Sequence, residues 1–323
     1  MFGVQNLEID FERAFFREGS PEQRASMTAR VKAVRELGAN TLRIYLQLFD
    51  FIGRDGDGDL VAYAGPFDNL SFLLDVARRE GLYLLVSGNN AWIPREVPTW
   101  YDELPHRERW EIQAFFFEHL TRIAASSPAV LAFELMSEPF IQEAADAPWY
   151  IGAFGDYFFA QAVARGVPRE DAARVAREWL KRLGAVIRRH DSDRLITLGA
   201  IGAYHNGALG ADNTATLLDF LSPHIYPRQD NPDDADTWVR RWAAVGKPVV
   251  VGETHLFRSN EKIFRNFLAN SSPLVDGYIS FYFGTGAASF GDYIIEQAPQ
   301  TLALHRRNIE IFRELRGTIL EPP

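Results

Sequence analysis

One step repeats along this chain: an amphipathic stretch, a glycine, then a short apolar run. In Arg30-Val31-Lys32-Ala33-Val34-Arg35-Glu36-Leu37-Gly38, Val31, Val34 and Leu37 recur at helical spacing and Gly38 is a helix stop. The β-prone Asn40-Thr41-Leu42-Arg43-Ile44-Tyr45 follows. The step returns at Arg79-Glu80-Gly81 ahead of Leu82, and at Ala244-Val245-Gly246 ahead of Lys247. Apolar runs predict strands near 2–7, 41–47, 82–87, 130–136, 194–199, 220–226, 247–252 and 277–283. Amphipathic stretches predict helices near 22–37, 67–80, 107–125, 170–190, 233–245, 260–270 and 297–315. This alternation over 323 residues predicts a single-domain (β/α)8 barrel, residues 1–323. A doubly wound open sheet is the alternative, but no glycine-rich nucleotide loop follows the first strand. Two connections are long, 48–66 and 139–168, and both follow strands, which puts them on a barrel's catalytic face. Within the second, the apolar run Tyr157–Val163 predicts a helix.

Composition removes several function classes. The net charge of −9, with no basic run, argues against nucleic acid or an anionic membrane as partner. The absence of cysteine excludes disulfides, thiolate chemistry and cysteine-based zinc sites. No apolar run approaches the ~20 residues of a membrane span. The opening Met-Phe-Gly-Val-Gln-Asn-Leu lacks the basic and apolar regions of a signal peptide, so a cytoplasmic protein is expected, or a secreted one if a leader precedes it. Arg54-Asp55-Gly56-Asp57-Gly58-Asp59-Leu60 has the acid spacing of a calcium loop. However, Leu60 stands where such a loop needs glycine and Pro66 where it needs glutamate, so a turn with solvated acids is expected.

The chemistry gathers at two strand ends. Phe133-Glu134-Leu135-Met136-Ser137-Glu138-Pro139 and Val249-Val250-Val251-Gly252-Glu253-Thr254 are apolar runs that finish in a carboxylate. Desolvating an unpaired carboxylate costs several kcal/mol or more, so a strand interior is a poor place for one and a cleft at the strand's carboxyl end a good one. Two carboxyl groups ~5–5.5 Å apart are what retaining glycoside hydrolysis needs. Glu134 lies deeper in its strand and is expected in a structural ion pair. Trp92, Trp100, Trp149, Tyr204 and Tyr226 fall in loops after strands, where flat rings can stack on sugar faces.

These segments together resemble the clan A retaining glycoside hydrolases, and family 5, the cellulases and mannanases, most closely. Asn40-Thr41-Leu42-Arg43-Ile44 is similar to that group's second strand, and the resemblance implies Arg43 beneath the nucleophile. Glu134-Leu135-Met136-Ser137-Glu138-Pro139 resembles the fourth-strand Asn-Glu-Pro motif and implies Glu138 as acid/base. Ser222-Pro223-His224-Ile225-Tyr226-Pro227 resembles the sixth-strand His-x-Tyr and implies His224 and Tyr226 in the site. Val251-Gly252-Glu253 resembles the seventh-strand motif and implies Glu253 as nucleophile. Hydrogen bonds from Arg43 and Tyr226 would keep Glu253 ionised, while the apolar neighbours Met136 and Pro139 suit Glu138 to the acid's role.

Three positions depart from the family pattern. Ser137 replaces the Asn that grips the sugar's 2-hydroxyl: either a neighbour such as Asn89 or Asn90 supplies the contact, or the substrate lacks it, or activity is weak. The eighth strand, Gly277-Tyr278-Ile279-Ser280-Phe281-Tyr282-Phe283, has no Trp, and alternation lets only one of Phe281 and Tyr282 face inward. The third strand runs into Ser87-Gly88-Asn89-Asn90-Ala91-Trp92 and has no His. The expected substrate is a β-linked glycan or glycoside of glucan or mannan type. Its expected contacts are Ser137, His224, Asn89, Asn90, Trp92, Trp149, Tyr204, Phe281 and Tyr282. No metal or other cofactor is called for. A sugar-binding barrel that has lost turnover is the alternative, with Ser137 and the missing Trp in its favour.

Overall fold

The computed structural model describes residues 1–6, 9–89, 93–125, 127–154, 156–283 and 298–315. Eight parallel strands close into a barrel: β1 (Phe2–Asn6), β2 (Thr41–Tyr45), β3 (Tyr83–Ser87), β4 (Val130–Ser137), β5 (Leu195–Ile201), β6 (Ser222–His224), β7 (Val250–Thr254) and β8 (Gly277–Phe283). Each strand pairs with its neighbours in sequence, and β1 closes the ring between β2 and β8. The main helices run α1 (Ile9–Glu18), α2 (Pro21–Glu36), α3 (Ala64–Glu80), α4 (His106–Ala124), α5 (Arg169–His190), α6 (Pro232–Ala243), α7 (Glu261–Ser271) and α8 (Ala298–Leu315). All but α1 match the helical periodicity. Among the described residues no helix is long and apolar enough to cross a membrane.

Local chemistry sets the element boundaries. Ser20 caps α2: its hydroxyl accepts from the Gln23 amide, Gln23 answers on the Ser20 amide, and Pro21 takes the first helical position. The repeated glycines that precede β2, β3 and β7 adopt left-handed backbone, with φ of 84° at Gly38, 66° at Gly81 and 79° at Gly246. That conformation ends a helix and turns the chain into the following strand, and glycine alone adopts it without a steric cost.

The barrel has two interiors. Most buried apolar side chains lie between the strands and the helices, in one continuous cluster that includes Leu42, Ile44, Val86, Phe133, Trp179 and Trp242. A smaller, separate cluster of Leu85, Ala132, Phe220, Val250 and Ile279 plugs the bottom of the barrel. One alternation step above Leu85 and Ala132, Ser87 and Glu134 face each other and the lining becomes polar.

The long 139–168 connection differs from its prediction. Residues Tyr157–Ala164 form a strand, not a helix. It pairs antiparallel with Tyr150–Phe154 and Ile93–Pro94 and parallel with Phe140–Ile141. A segment of eight residues is too short for periodicity to separate a buried strand from a buried helical turn. Here Tyr157, Phe158, Phe159 and Val163 favour the pleated surface. The other long connection, 48–66, forms a hairpin in which Ile52–Arg54 pairs with Leu60–Ala62. In its turn the Asp55 carboxylate accepts from the amides of Asp57 and Asp59.

Candidate active site

The polar layer at the barrel mouth is built around one guanidinium. Arg43 on β2 is fully buried, and its Nη1 donates to Glu253 Oε1 at 2.5 Å while Nη2 donates to Glu134 Oε1 at 2.5 Å. Nη2 also reaches Ser137 Oγ at 3.1 Å and lies 3.3 Å from His224 Nε2. Ser87 donates to the same Glu134 oxygen at 2.8 Å. The deep carboxylate is thus an ion-pair partner of Arg43. Burial works against the Arg43 charge, but Glu134, Tyr45 and Glu253 hold it protonated, well above an already high value.

Glu253, the penultimate residue of β7, is in register with His224 of β6 and is nearly enclosed. Tyr45 donates to Oε1 at 2.7 Å and Tyr226 to Oε2 at 2.6 Å. Burial alone would raise this carboxyl's pKa. The neighbouring His224, the Arg43 guanidinium and the Tyr226 hydroxyl outweigh burial and hold it below the usual glutamate value. The tyrosine hydroxyls are pushed the other way: burial first, and the adjacent carboxylates with it, raise both well above the ordinary phenol value. Both remain donors.

Glu138 stands one residue past the end of β4, where its amide donates to Gly199 O at 2.7 Å. Its φ of 46° is the one left-handed value at a non-glycine among the described residues. His224 Nδ1 lies 3.1 Å from Glu138 Oε1 and 3.3 Å from Glu253 Oε2, so the imidazole braces both carboxyls. One oxygen of each carboxyl and a nitrogen of His224 lie within 4.8 Å of one another. Three such ligands could in principle hold a cation. However, Glu253 already accepts from Arg43, Tyr45 and Tyr226, and a guanidinium beside it is poor company for a metal ion. The carboxyls differ in access: the Glu138 side chain is 22% exposed and that of Glu253 is 6%. An accessible acid beside a buried, clamped carboxylate can divide proton transfer from nucleophilic attack.

The cavity above them holds about 590 Å³. Tyr45, Ser137, Glu138, His224, Tyr226 and Glu253 form its floor, and Phe159, Trp238, Phe257 and Phe281 its aromatic wall. Phe281 is thus the inward residue of the β8 pair, and it packs edge-on to Tyr226 at 5.8 Å. The Tyr282 side chain, Asn90 and Trp92 lie outside the described residues.

Three expected contacts fall elsewhere. Asn89 is buried and donates to Leu135 O at 2.9 Å, which braces β4 from behind. Trp149 is 3% exposed inside the loop sheet, stacked under the guanidiniums of Arg109 and Arg165, because the predicted loop is a packed layer. Tyr204 is exposed, but it borders a side groove and not the main cavity. Tyr45, conversely, belongs to the site without being among the expected contacts; its signal is simple alternation, two residues beyond Arg43 on one strand face.

Comparison with known proteins accords with this geometry. The family model described as Cellulase (glycosyl hydrolase family 5) matches residues 12–269, a range that holds Arg43, Ser137, Glu138, His224, Tyr226 and Glu253. No curated protein matches the chain. Among solved structures, a GH5_18 from Bifidobacterium longum subsp. infantis superposes with a TM-score of 0.70 at 14% identity, covering 100% of this chain and 79% of that one. An exo-beta-1,4-mannosidase from Opitutaceae bacterium strain TAV5 gives 0.66 at 17% identity; this chain is covered in full and spans 60% of that protein's length. The endo-1,4-beta-D-mannanase from Thermotoga petrophila RKU-1 gives 0.61 at 17% identity, over 96% and 99% of the two chains. The chain belongs to glycosyl hydrolase family 5.

Proposed function

We propose that this protein hydrolyses a β-linked glucoside or mannoside with retention of anomeric configuration. The observation that carries this reading is the separation of the two carboxyls. With oxygens within 4.8 Å, Glu138 and Glu253 suit the ~5–5.5 Å spacing of retaining enzymes and leave no room for the attacking water of an inverting one, which needs ~6.5–9.5 Å. Glu253, kept ionised by Arg43, Tyr45 and Tyr226, attacks the anomeric carbon as Glu138 gives its proton to the departing oxygen. A glycosyl ester on Glu253 results. Glu138, now a carboxylate, takes a proton from water, and the hydroxide displaces Glu253. Phe281 and Phe257 supply the apolar wall for the sugar ring. Ser137 and the Tyr45 hydroxyl, 3.3 Å apart, are among the polar groups at the floor that can meet a ring hydroxyl.

The test is hydrolysis of aryl β-glucoside, β-mannoside, β-galactoside and β-xyloside by the wild type and by Glu253→Ala, with the first-formed anomer read by proton NMR. Turnover of one glycoside with a β-anomer first, and a loss on the order of 10⁴-fold in the variant, is expected. An α-anomer first would reject retention. Silence of the wild type across the panel, with oligosaccharide binding by calorimetry, would favour a barrel that binds sugar without cleaving it.

A further inference from the structure

Beside the catalytic cavity lies a second recess of about 200 Å³. Its walls include Pro139, Phe140, Ile141, Ala200, Ile201 and Tyr204, and Ile201 also lines the catalytic cavity. Among the described residues no charged side chain borders the recess, and Tyr204, 63% exposed, brings the only side-chain hydroxyl. Three of these residues follow Glu138 directly in sequence, and the others lie at the end of β5 or just beyond it, whose Gly199 carbonyl holds the Glu138 amide.

This placement has a chemical meaning if Glu138 is the acid, the reading on which the inference rests. The acid must sit on the departing oxygen, so whatever that oxygen carries lies on the Glu138 side of the anomeric carbon. The chain that leaves Glu138 builds the wall on that side. We propose that the recess is the leaving-group site and that it takes an apolar aglycone, an alkyl or aryl chain, in preference to a further sugar. A sugar in this recess would find one hydroxyl among apolar walls, whereas each methylene buried there gains about 0.8 kcal/mol, roughly a fourfold change in equilibrium.

The experiment is kcat/KM for methyl, butyl and hexyl β-glycosides of the preferred glycone. Their alcohols have similar pKa values, so only buried apolar area changes along the series. A rise of at least tenfold from methyl to hexyl is expected, carried mainly by KM. Tyr204→Ala, and Ala172→Asp at a further lining residue on α5, should both shrink the hexyl-to-methyl ratio toward one. Equal rates along the wild-type series, or a ratio unchanged in both variants, would overturn the leaving-group assignment while glycoside hydrolysis stands. No cleavage of any member, methyl included, would overturn the hydrolase reading together with it.

Discussion

Among the described residues two arginines are buried, and they are kept in opposite ways. Arg43, at the barrel mouth, is held by the carboxylates Glu134 and Glu253 at 2.5 Å each. Arg109, on α4 beneath the loop sheet, is held by aromatic faces, with Trp149 at 4.0 Å, Tyr101 at 4.1 Å and Tyr150 at 5.4 Å, and donates to the Tyr150 hydroxyl at 2.6 Å. Its nearest carboxylate, Asp102, is half-exposed and stands 3.6 Å away, with the oxygen that faces Arg109 buried. A cation held mainly by rings needs no fully buried carboxylate, so the cage can fasten a layer without setting up a reactive anion. A cation caged by carboxylates leaves one of them ionised and desolvated, ready for chemistry.

Breaking the two cages should separate these roles. Arg43→Ala strands two buried carboxylates, so a stability loss of about 3–5 kcal/mol in denaturant unfolding is expected, together with loss of hydrolysis. Glu253→Gln, which leaves Arg43 its Glu134 partner, should cost far less stability while abolishing turnover. Arg109→Leu should cost about 1–2 kcal/mol in the same unfolding measurement and leave kcat within a few-fold, since the cage lies outside the catalytic cavity. A comparable activity loss in both arginine variants would erase the distinction. Tyr45→Phe sharpens it: removing one donor from the ionised carboxylate should lower kcat about tenfold with stability little changed. An unaltered kcat would show that Arg43 and Tyr226 suffice.

The smallest expected effect concerns a third buried cluster. His255 Nδ1 accepts from the Phe257 amide, and its Nε2 meets His305 Nδ1 at 2.9 Å, tying the end of β7 to α8. Burial pushes His255 well below its ordinary value and His305 down to about 4. The unfolded chain binds protons from pH 6.5 downward and the folded pair does not. Stability should therefore fall as pH drops from about 6.5 to about 4. His305→Asn should flatten that slope in pH-dependent thermal unfolding.

The sequence showed the barrel and the two strand-end glutamates because both rest on short-range patterns. A left-handed glycine before a strand, and a carboxylate where an apolar run stops, are visible within ten residues. Glu134 as an ion-pair partner was legible for the same reason, since alternation put it deep on the same face as Glu138. What stayed hidden depends on partners far away in sequence. Trp149 resembled any loop aromatic until Arg109 and Arg165 were found above its ring. Tyr157–Ala164 became a strand because Tyr150–Phe154 and Ile93–Pro94 offered it edges, and no local period records a partner's edge. Tyr45 was within reach: Arg43 and Tyr45 share a strand face, and a phenol that close to an expected nucleophile is a predictable donor.

The left-handed backbone at Glu138 carries a consequence for the history of such chains. An L-residue held there costs about 1–3 kcal/mol that a glycine would not. Where hydrolysis is unselected, Glu138→Gly is a change that relaxes the backbone and removes the carboxyl together. The fold is expected to drift out of catalysis more easily than into it. A library of this protein screened for heat resistance alone should lose Glu138 before it loses Glu253, whose own backbone bears no such strain.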